Sequence, residues 1–210
     1  MNGKLIGVGV GPGDPELMTL KAVRMIRENE VIAVPGKEPK ETVAYQIAVQ
    51  AAPELANKIL LPLYMPMTMD AKERENNWKL AADATEQQLK CGKNVVFLTL
   101  GDPTVYSTFS YVKKLIEDRG YETATVSGIT SFCAAAARMN VSLSEWNEPL
   151  HILPARHNLE DDLTYSGNCI LMKSGRKMER VKQQLKQSGR DVVMVENCGM
   201  PEEKIYHGVE

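Results

Sequence analysis

Short apolar runs alternate with amphipathic stretches along the first part of this chain. The runs end in glycine, proline or polar residues, and they predict strands at 5–10, 30–34, 59–63, 94–100 and 123–126. Between and after these runs, apolar residues recur at helical spacing and predict helices at 14–26, 41–55, 71–91, 108–119 and 132–139. Regular alternation of strand and helix predicts a parallel sheet with helices on both faces.

The second half of the chain alternates less strictly and predicts a smaller mixed sheet. Its strands are predicted at 151–154, 169–172, 191–196 and 204–209, with a helix at 178–187. A chain of 210 residues is long enough for two small domains. We therefore predict an α/β protein of two α/β domains, 1–126 and 127–210, with the boundary placed to within about ten residues.

Composition and charge argue against several classes of protein. Hydrophobic residues make up 43% and charged residues 25% of the chain, as in globular proteins. The net charge of −2 argues against a general nucleic-acid binder, which usually carries a basic excess. The N-terminus lacks the features of a secretory signal, and no stretch approaches the ~18 apolar residues of a membrane span. We expect a cytoplasmic protein that contacts neither nucleic acid nor membrane.

The cysteines indicate no metal site. They stand at 91, 133, 169 and 198, so none forms a C-x-x-C pair, and their separations fit no zinc site. Reduced thiols are the expected state for a cytoplasmic chain.

The first candidate for chemistry is the glycine-rich turn at 7–14, which follows the first strand. Glycines at a strand end let the backbone approach a ligand closely. A dinucleotide site requires G-x-G-x-x-G, but the sixth position is Pro12 when counted from Gly7 and Asp14 when counted from Gly9. An acidic residue is also unfavourable beside a pyrophosphate. A glycine-rich turn without a ligand remains the alternative.

Two further loops follow predicted strands. Residues 100–106 follow the most apolar strand, and residues 128–131 link the next strand to a helix. Open α/β sheets bind ligands at the carboxyl ends of their strands, so both loops are candidates. Gly, Asp and Pro are also common turn residues, and Thr130 or Ser131 could simply cap a helix.

Together these segments resemble the tetrapyrrole methyltransferase family. The resemblance lies in G-x-G-P-G-D near the N-terminus, G-D-P at 101–103 and G-I-T-S at 128–131, and their order and spacing cover the chain. Residues 101–108 and 144–146 resemble the branch that methylates C-20 of precorrin-2 or cobalt-factor II. The resemblance implies a methyltransferase of cobalamin biosynthesis.

The family resemblance also implies a cofactor and an assembly. Its members are homodimers that hold S-adenosylmethionine in a cleft between two α/β domains, and cobalt enters only as part of the substrate. The implied donor-binding residues are Pro12, Leu100, Gly101, Asp102, Val105, Tyr106, Thr130, Ser131, Met172 and Cys198.

Two features depart from the family pattern. Cys198 stands where the family often has a small residue. Family members usually continue for one or two strands beyond the position of Glu210, so we expect part of the adenosine pocket to lie further along.

Methyl transfer from a sulfonium is an in-line displacement that depends on positioning and requires no covalent nucleophile. The methylated carbon must later lose a proton. Asp102, Tyr106 and the three histidines are candidate bases, and the sequence does not choose among them. The substrate carries many carboxylates, so Arg156 and Arg176 are candidate substrate-binding residues, with a solvated helix start as the alternative for Arg176.

Three alternatives remain at this point. The acceptor could be another tetrapyrrole, such as uroporphyrinogen III or a later corrin intermediate. A nucleotide-dependent oxidoreductase would require the dinucleotide fingerprint that fails here. A non-catalytic protein could keep the cleft and lack turnover.

Overall fold

The computed structural model describes residues 2–66, 68–155, 159–175 and 178–209. The chain forms two compact units, Met1–Ser131 and Phe132–Glu210. The first unit contains β1 (Leu5–Gly9), α1 (Leu20–Glu28), β2 (Val31–Pro35), α2 (Val43–Ala51), β3 (Ile59–Leu63), α3 (Ala71–Lys90), β4 (Val95–Thr99), α4 (Phe109–Asp118) and β5 (Thr123–Val126). The helix α5 (Ser131–Met139) begins at the boundary between the units.

The five strands of the first unit form one parallel sheet in the order β3-β2-β4-β1-β5. One face packs against α1 and α2, through a core that includes Val8, Ile26 and Ala48. The other face packs against α3 and α4, through a core that includes Phe97, Leu89 and Val112. The predicted parallel sheet covered on both faces is confirmed.

The neighbouring strands β1 and β4 lead into helices on opposite faces of this sheet, since α1 packs on one face and α4 on the other. Beyond the carboxyl edge, the chain therefore continues from β1 and from β4 to opposite faces of the sheet. In open α/β sheets such a switch point is where ligands bind. The carboxyl ends of β1 and β4 are therefore the candidate position for a ligand-binding site.

Two predicted helices are interrupted, each for a local reason. Asp14 caps a short 3-10 helix at Pro15–Leu17, and α1 begins only after Thr19, whose hydroxyl accepts from the Ala22 N–H at 3.1 Å. The predicted helix 41–55 ends at Ala51, because the proline at 53 disfavours helical backbone at the residue before it. A 3-10 helix follows at Pro53–Asn57.

The second unit contains β6 (Leu150–Pro154), α6 (Leu159–Asp162), β7 (Asn168–Met172), α7 (Met178–Ser188), β8 (Val193–Glu196) and β9 (Lys204–His207). Strands β6 and β7 are parallel, whereas β8 and β9 are antiparallel. Within the described ranges these are two separate two-stranded sheets, where one mixed sheet was predicted. The four-residue helix α6 was not predicted.

The core of the second unit is small and is supported by one arginine. Ala155, Leu159, Leu163 and Val181 form its buried cluster. The Arg190 guanidinium donates to the carbonyls of Leu163, Gly167 and Tyr165, so it holds the loop between α6 and β7. Polar cross-links of this kind supplement the limited apolar burial.

Phe109 is the central side chain between α4 and the sheet, and its truncation should destabilise the first unit. The residue is 1% exposed, and its ring centroid lies 5.4 Å from that of Phe97. We expect Phe109→Ala to lower the free energy of unfolding by about 3–5 kcal/mol, because it leaves a cavity at a packed site. Urea denaturation followed by circular dichroism measures the change. Lys114→Ala, an exposed change on the same helix, is the control, and equal effects of the two would contradict the prediction.

Candidate functional site

The loops after β1 and β4 are joined by backbone hydrogen bonds at the carboxyl edge of the sheet. The Gly101 N–H donates to the Gly11 carbonyl at 2.8 Å, and the Gly11 N–H donates to the Gly101 carbonyl at 3.3 Å. Both residues adopt positive φ, +76° at Gly11 and +73° at Gly101. Glycine adopts positive φ without strain, whereas other residues would be strained there. Glycine at both positions therefore permits the backbone bridge between the two loops.

The loop after β5 packs directly against the other two. A Cβ atom on Gly9 would lie 2.5 Å from the Gly101 carbonyl oxygen and 2.6 Å from the Gly128 nitrogen. A Cβ atom on Gly128 would lie 2.1 Å from the same carbonyl oxygen. Three strand ends therefore meet backbone to backbone.

Asp102 binds both neighbouring loops with its carboxylate. Its Oδ1 atom accepts from the Thr104 N–H at 2.7 Å and from the Thr104 hydroxyl at 2.5 Å. Its Oδ2 atom accepts from the Gly128 N–H at 2.9 Å. Burial raises the pKa of Asp102, but these hydrogen bonds outweigh burial, so the pKa lies below its ordinary value of 3.8.

This environment makes Asp102 a poor general base. A carboxylate with a lowered pKa has little affinity for a proton, and both of its oxygens are already occupied by donors. Asp102 is therefore removed from the candidate bases, and its side chain instead joins the two loops. Sequence reasoning missed Thr104, although an aspartate followed two residues later by threonine is a known turn pattern.

The other predicted residues of the first unit lie on the same three loops. Pro12 is buried in the loop after β1. In the loop after β4, Leu100 is 49% exposed, Val105 is half-buried, and Tyr106 is 44% exposed with a positive φ of 47°. Ser131 is exposed at the first residue of α5.

Thr130 carries the one buried side-chain oxygen or nitrogen atom without a hydrogen-bond partner in the part of the chain that the structure describes. Its Oγ1 atom is buried and has no hydrogen-bond partner among the described residues. A buried hydroxyl without a partner is energetically unfavourable, and such a group in a native protein is explained by strain, by a bound water or ion, or by a functional role. A polar ligand at these loops would supply the missing partner.

The remaining predicted residues belong to the second unit or lie outside the described residues. Met172 ends β7, and Cys198 lies in the turn between β8 and β9. Both are half-buried, and their contact with the donor stays a prediction. Arg156, Arg176 and the candidate base His157 lie outside the described residues.

The two described histidines have different surroundings. His151 Nε2 donates to the Ser166 carbonyl at 3.0 Å, and its ring lies 4.9 Å from that of Tyr165. These contacts favour a structural role for His151. His207 is exposed on β9. Among the residues that the structure describes, no helix is long and apolar enough to cross a membrane, and no cluster of His, Cys, Asp or Glu is arranged to hold a metal.

Comparison with known sequences decides the family. The sequence model of the family Tetrapyrrole (Corrin/Porphyrin) Methylases matches residues 4–210. The chain belongs to this family. It is therefore a methyltransferase, and the oxidoreductase alternative has no support from the comparisons.

Several named relatives of this tetrapyrrole methylase match nearly its full length. A Methanocaldococcus jannaschii protein named "Probable cobalt-precorrin-2 C(20)-methyltransferase" is 36% identical over 206 residues, which cover 98% of this chain and 87% of the relative. The cobalt-precorrin-2 C(20)-methyltransferase of Salmonella typhimurium is 28% identical, with 98% of this chain and 88% of the relative covered.

Solved structures of the same family share the fold. A cobalt precorrin-4 methyltransferase superposes with a TM-score of 0.75 at 23% identity and covers 98% of this chain and 84% of its own. A uroporphyrin-III C-methyltransferase from Thermus thermophilus, solved with S-adenosylhomocysteine, gives a TM-score of 0.71 at 22% identity and covers 98% and 88%.

The ionisation of Asp102 should contribute to stability in one pH range. Because its folded-state pKa lies below the ordinary value of 3.8, the contribution is present above pH ~4 and is lost as pH falls through the folded-state pKa. We expect the stability difference between wild type and Asp102→Asn to be larger at pH 6.5 than at pH 3. Urea unfolding at both pH values measures it, and a difference that is independent of pH would contradict the prediction.

Proposed function

We propose that this protein transfers a methyl group from S-adenosylmethionine to C-20 of precorrin-2 or cobalt-factor II in cobalamin biosynthesis. The observation that carries the proposal is the match to a relative named for C-20 methylation, at 36% identity over 98% of this chain. The presence of cobalt in the substrate belongs to the proposal, as do a cytoplasmic location and a homodimer.

The three strand-end loops are suited to a nucleoside donor. The Thr130 hydroxyl is buried and lacks a partner among the described residues, so a ligand can hydrogen-bond to it. Leu100 offers a half-exposed apolar side chain at the start of the loop after β4. The ionised Asp102 carboxylate at this edge favours a cationic sulfonium over the pyrophosphate of a dinucleotide.

The proposed chemistry requires the protein mainly to bind and orient. The sulfonium supplies an activated methyl group, and rate enhancement comes from holding donor and acceptor carbon in line. We assign donor binding to the loops that carry Pro12, Leu100–Asp102, Val105–Tyr106 and Thr130–Ser131, with Asp102 contributing its backbone because its carboxylate is occupied. In this proposal Met172 and Cys198 add contacts from the second unit.

Arg156 and Arg176 are proposed to neutralise carboxylates of the acceptor. The proton-accepting group for the methylated carbon remains open among Tyr106 and the histidines. Asp102 is no longer a candidate, because its pKa is lowered and its oxygens accept three hydrogen bonds.

The decisive test measures donor binding and acceptor choice separately. We expect calorimetry to show stoichiometric binding of S-adenosylhomocysteine. We also expect mass spectrometry to show one added methyl group on precorrin-2 or cobalt-factor II, with uroporphyrinogen III unchanged. Absence of nucleoside binding would refute the donor assignment. Methylation of uroporphyrinogen III alone would refute the acceptor assignment, and nucleoside binding with no methylated product would indicate a non-catalytic protein.

Thr130→Val should separate ligand binding from stability. The change removes a buried hydroxyl that has no partner among the described residues, so the unfolding free energy should stay equal or rise slightly. If the donor hydrogen-bonds to that hydroxyl, the Kd for S-adenosylhomocysteine should increase about three- to tenfold. Thr125→Val, at an exposed position of β5, is the matched control. Unchanged affinity in Thr130→Val would contradict the proposed contact.

A further inference from the structure

Both carboxylate oxygens of Asp102 accept hydrogen bonds from other groups of the protein. This distinguishes its side chain among the predicted donor-binding residues. It is 7% exposed, and its three donors are the Thr104 N–H, the Thr104 hydroxyl and the Gly128 N–H. None of these donors is charged, and no ion pair within the described ranges involves Asp102. The carboxylate is therefore stabilised by directed hydrogen bonds from two loops.

Of the three hydrogen bonds to the Asp102 carboxylate, only the one from the Gly128 N–H joins two different loops. Thr104 lies two residues after Asp102 in the same loop, whereas Gly128 follows β5. The missing side chains of Gly9, Gly101 and Gly128 allow the loops to approach closely. Close packing limits how near the loops can come, but it does not hold them together. A directed hydrogen bond to a buried carboxylate can do so.

The loop after β5 leads within two residues from Gly128 to Thr130, whose buried hydroxyl lacks a partner among the described residues. On the other side of Gly128, the Ser127 carbonyl accepts a long hydrogen bond of 3.5 Å from the Thr19 hydroxyl. The Asp102 bond, at 2.9 Å, is the shorter of these two restraints on the loop. The shorter of these two restraints, from Asp102, thus acts two residues before Thr130.

We propose that Asp102 is a positioning residue whose carboxylate links the loop after β4 to the loop after β5. This link, the hydrogen bond from the Gly128 N–H to Asp102, is called the latch below. It fixes the position of the Thr130 hydroxyl before the donor binds. The inference rests on the proposed binding of S-adenosylmethionine at these loops. It assigns the Asp102 side chain a role that acts through Gly128 and Thr130, without contact to the nucleoside.

Asp102→Asn tests the latch with almost no change in size. The amide has one acceptor oxygen, which keeps more hydrogen bonds when it faces the two donors of Thr104. Its NH₂ group then faces the Gly128 N–H, and the bond to Gly128 is lost. We expect the Kd for S-adenosylhomocysteine and the KM for S-adenosylmethionine to rise about tenfold to a hundredfold. The kcat at saturating donor should stay within about twofold, because the lost interaction serves binding.

A matched control makes the same chemical change elsewhere. Asp70 caps α3 with its carboxylate, which accepts from the N–H groups of Lys72 at 2.8 Å and Glu73 at 3.1 Å. Asp70→Asn should leave both the Kd and the KM for the donor unchanged. A general loss of folded protein would lower kcat at an unchanged KM, so the split between the two constants separates positioning from stability.

Hydrogen exchange measures the latch directly. In the ligand-free wild type the Gly128 amide should exchange slowly, and Asp102→Asn should speed its exchange. Thr104→Val should keep it slow, because that change retains the bond between Asp102 and Gly128. If Asp102→Asn does not fold, rapid exchange of the Gly128 amide in the wild type would still overturn the proposal.

The outcomes distinguish this inference from the proposed function. A wild type that binds no S-adenosylhomocysteine refutes the proposed function. A wild type that binds it while Asp102→Asn binds equally well, or loses only kcat, refutes the latch and leaves the proposed function intact.

Discussion

Contact between backbone atoms at three strand ends sets the geometry of the carboxyl edge. Gly9, Gly101 and Gly128 approach so closely that a Cβ atom on Gly9 or Gly128 would overlap a neighbouring backbone. The sheet order brings this contact about, because β1 lies between β4 and β5. With no side chains between them, the loops pack backbone against backbone, and the peptide groups of Gly11 and Gly101 hydrogen-bond to each other. The fold thereby forms this edge mainly from backbone.

Two polar groups at this edge differ in whether the described residues satisfy their hydrogen bonding. The Asp102 carboxylate is satisfied by Thr104 and Gly128, and its lowered pKa reflects those bonds. The Thr130 hydroxyl is not satisfied by any described residue. Rigid supports beside an unsatisfied group are what a positioning mechanism requires, since methyl transfer from a sulfonium gains most from alignment.

The sequence predicts much of the first unit and less of the second. The strands at 59–63 and 123–126 match the structure at both ends, although they are the partly exposed edge strands of the sheet. The predicted start of α1 was too early, since helical spacing does not reveal that Thr19 competes as a cap. In the second unit the strands are half-exposed and pair only in twos, so their pattern is weak. The strand order of the predicted sheet is enough to bring Pro12, Gly101 and Thr130 to one edge. The hydrogen bonds of Asp102 could not be predicted, because Gly, Asp and Pro are also typical of ordinary turns.

One edge of the five-stranded sheet is formed by β3, which contains Pro62. Proline has no amide hydrogen, so this strand offers an incomplete ladder to any chain that tries to extend the sheet. Edge strands with such interruptions resist intermolecular pairing, which is a common route to aggregates during synthesis. The proline in β3 thus disfavours association of folded molecules through this edge of the sheet.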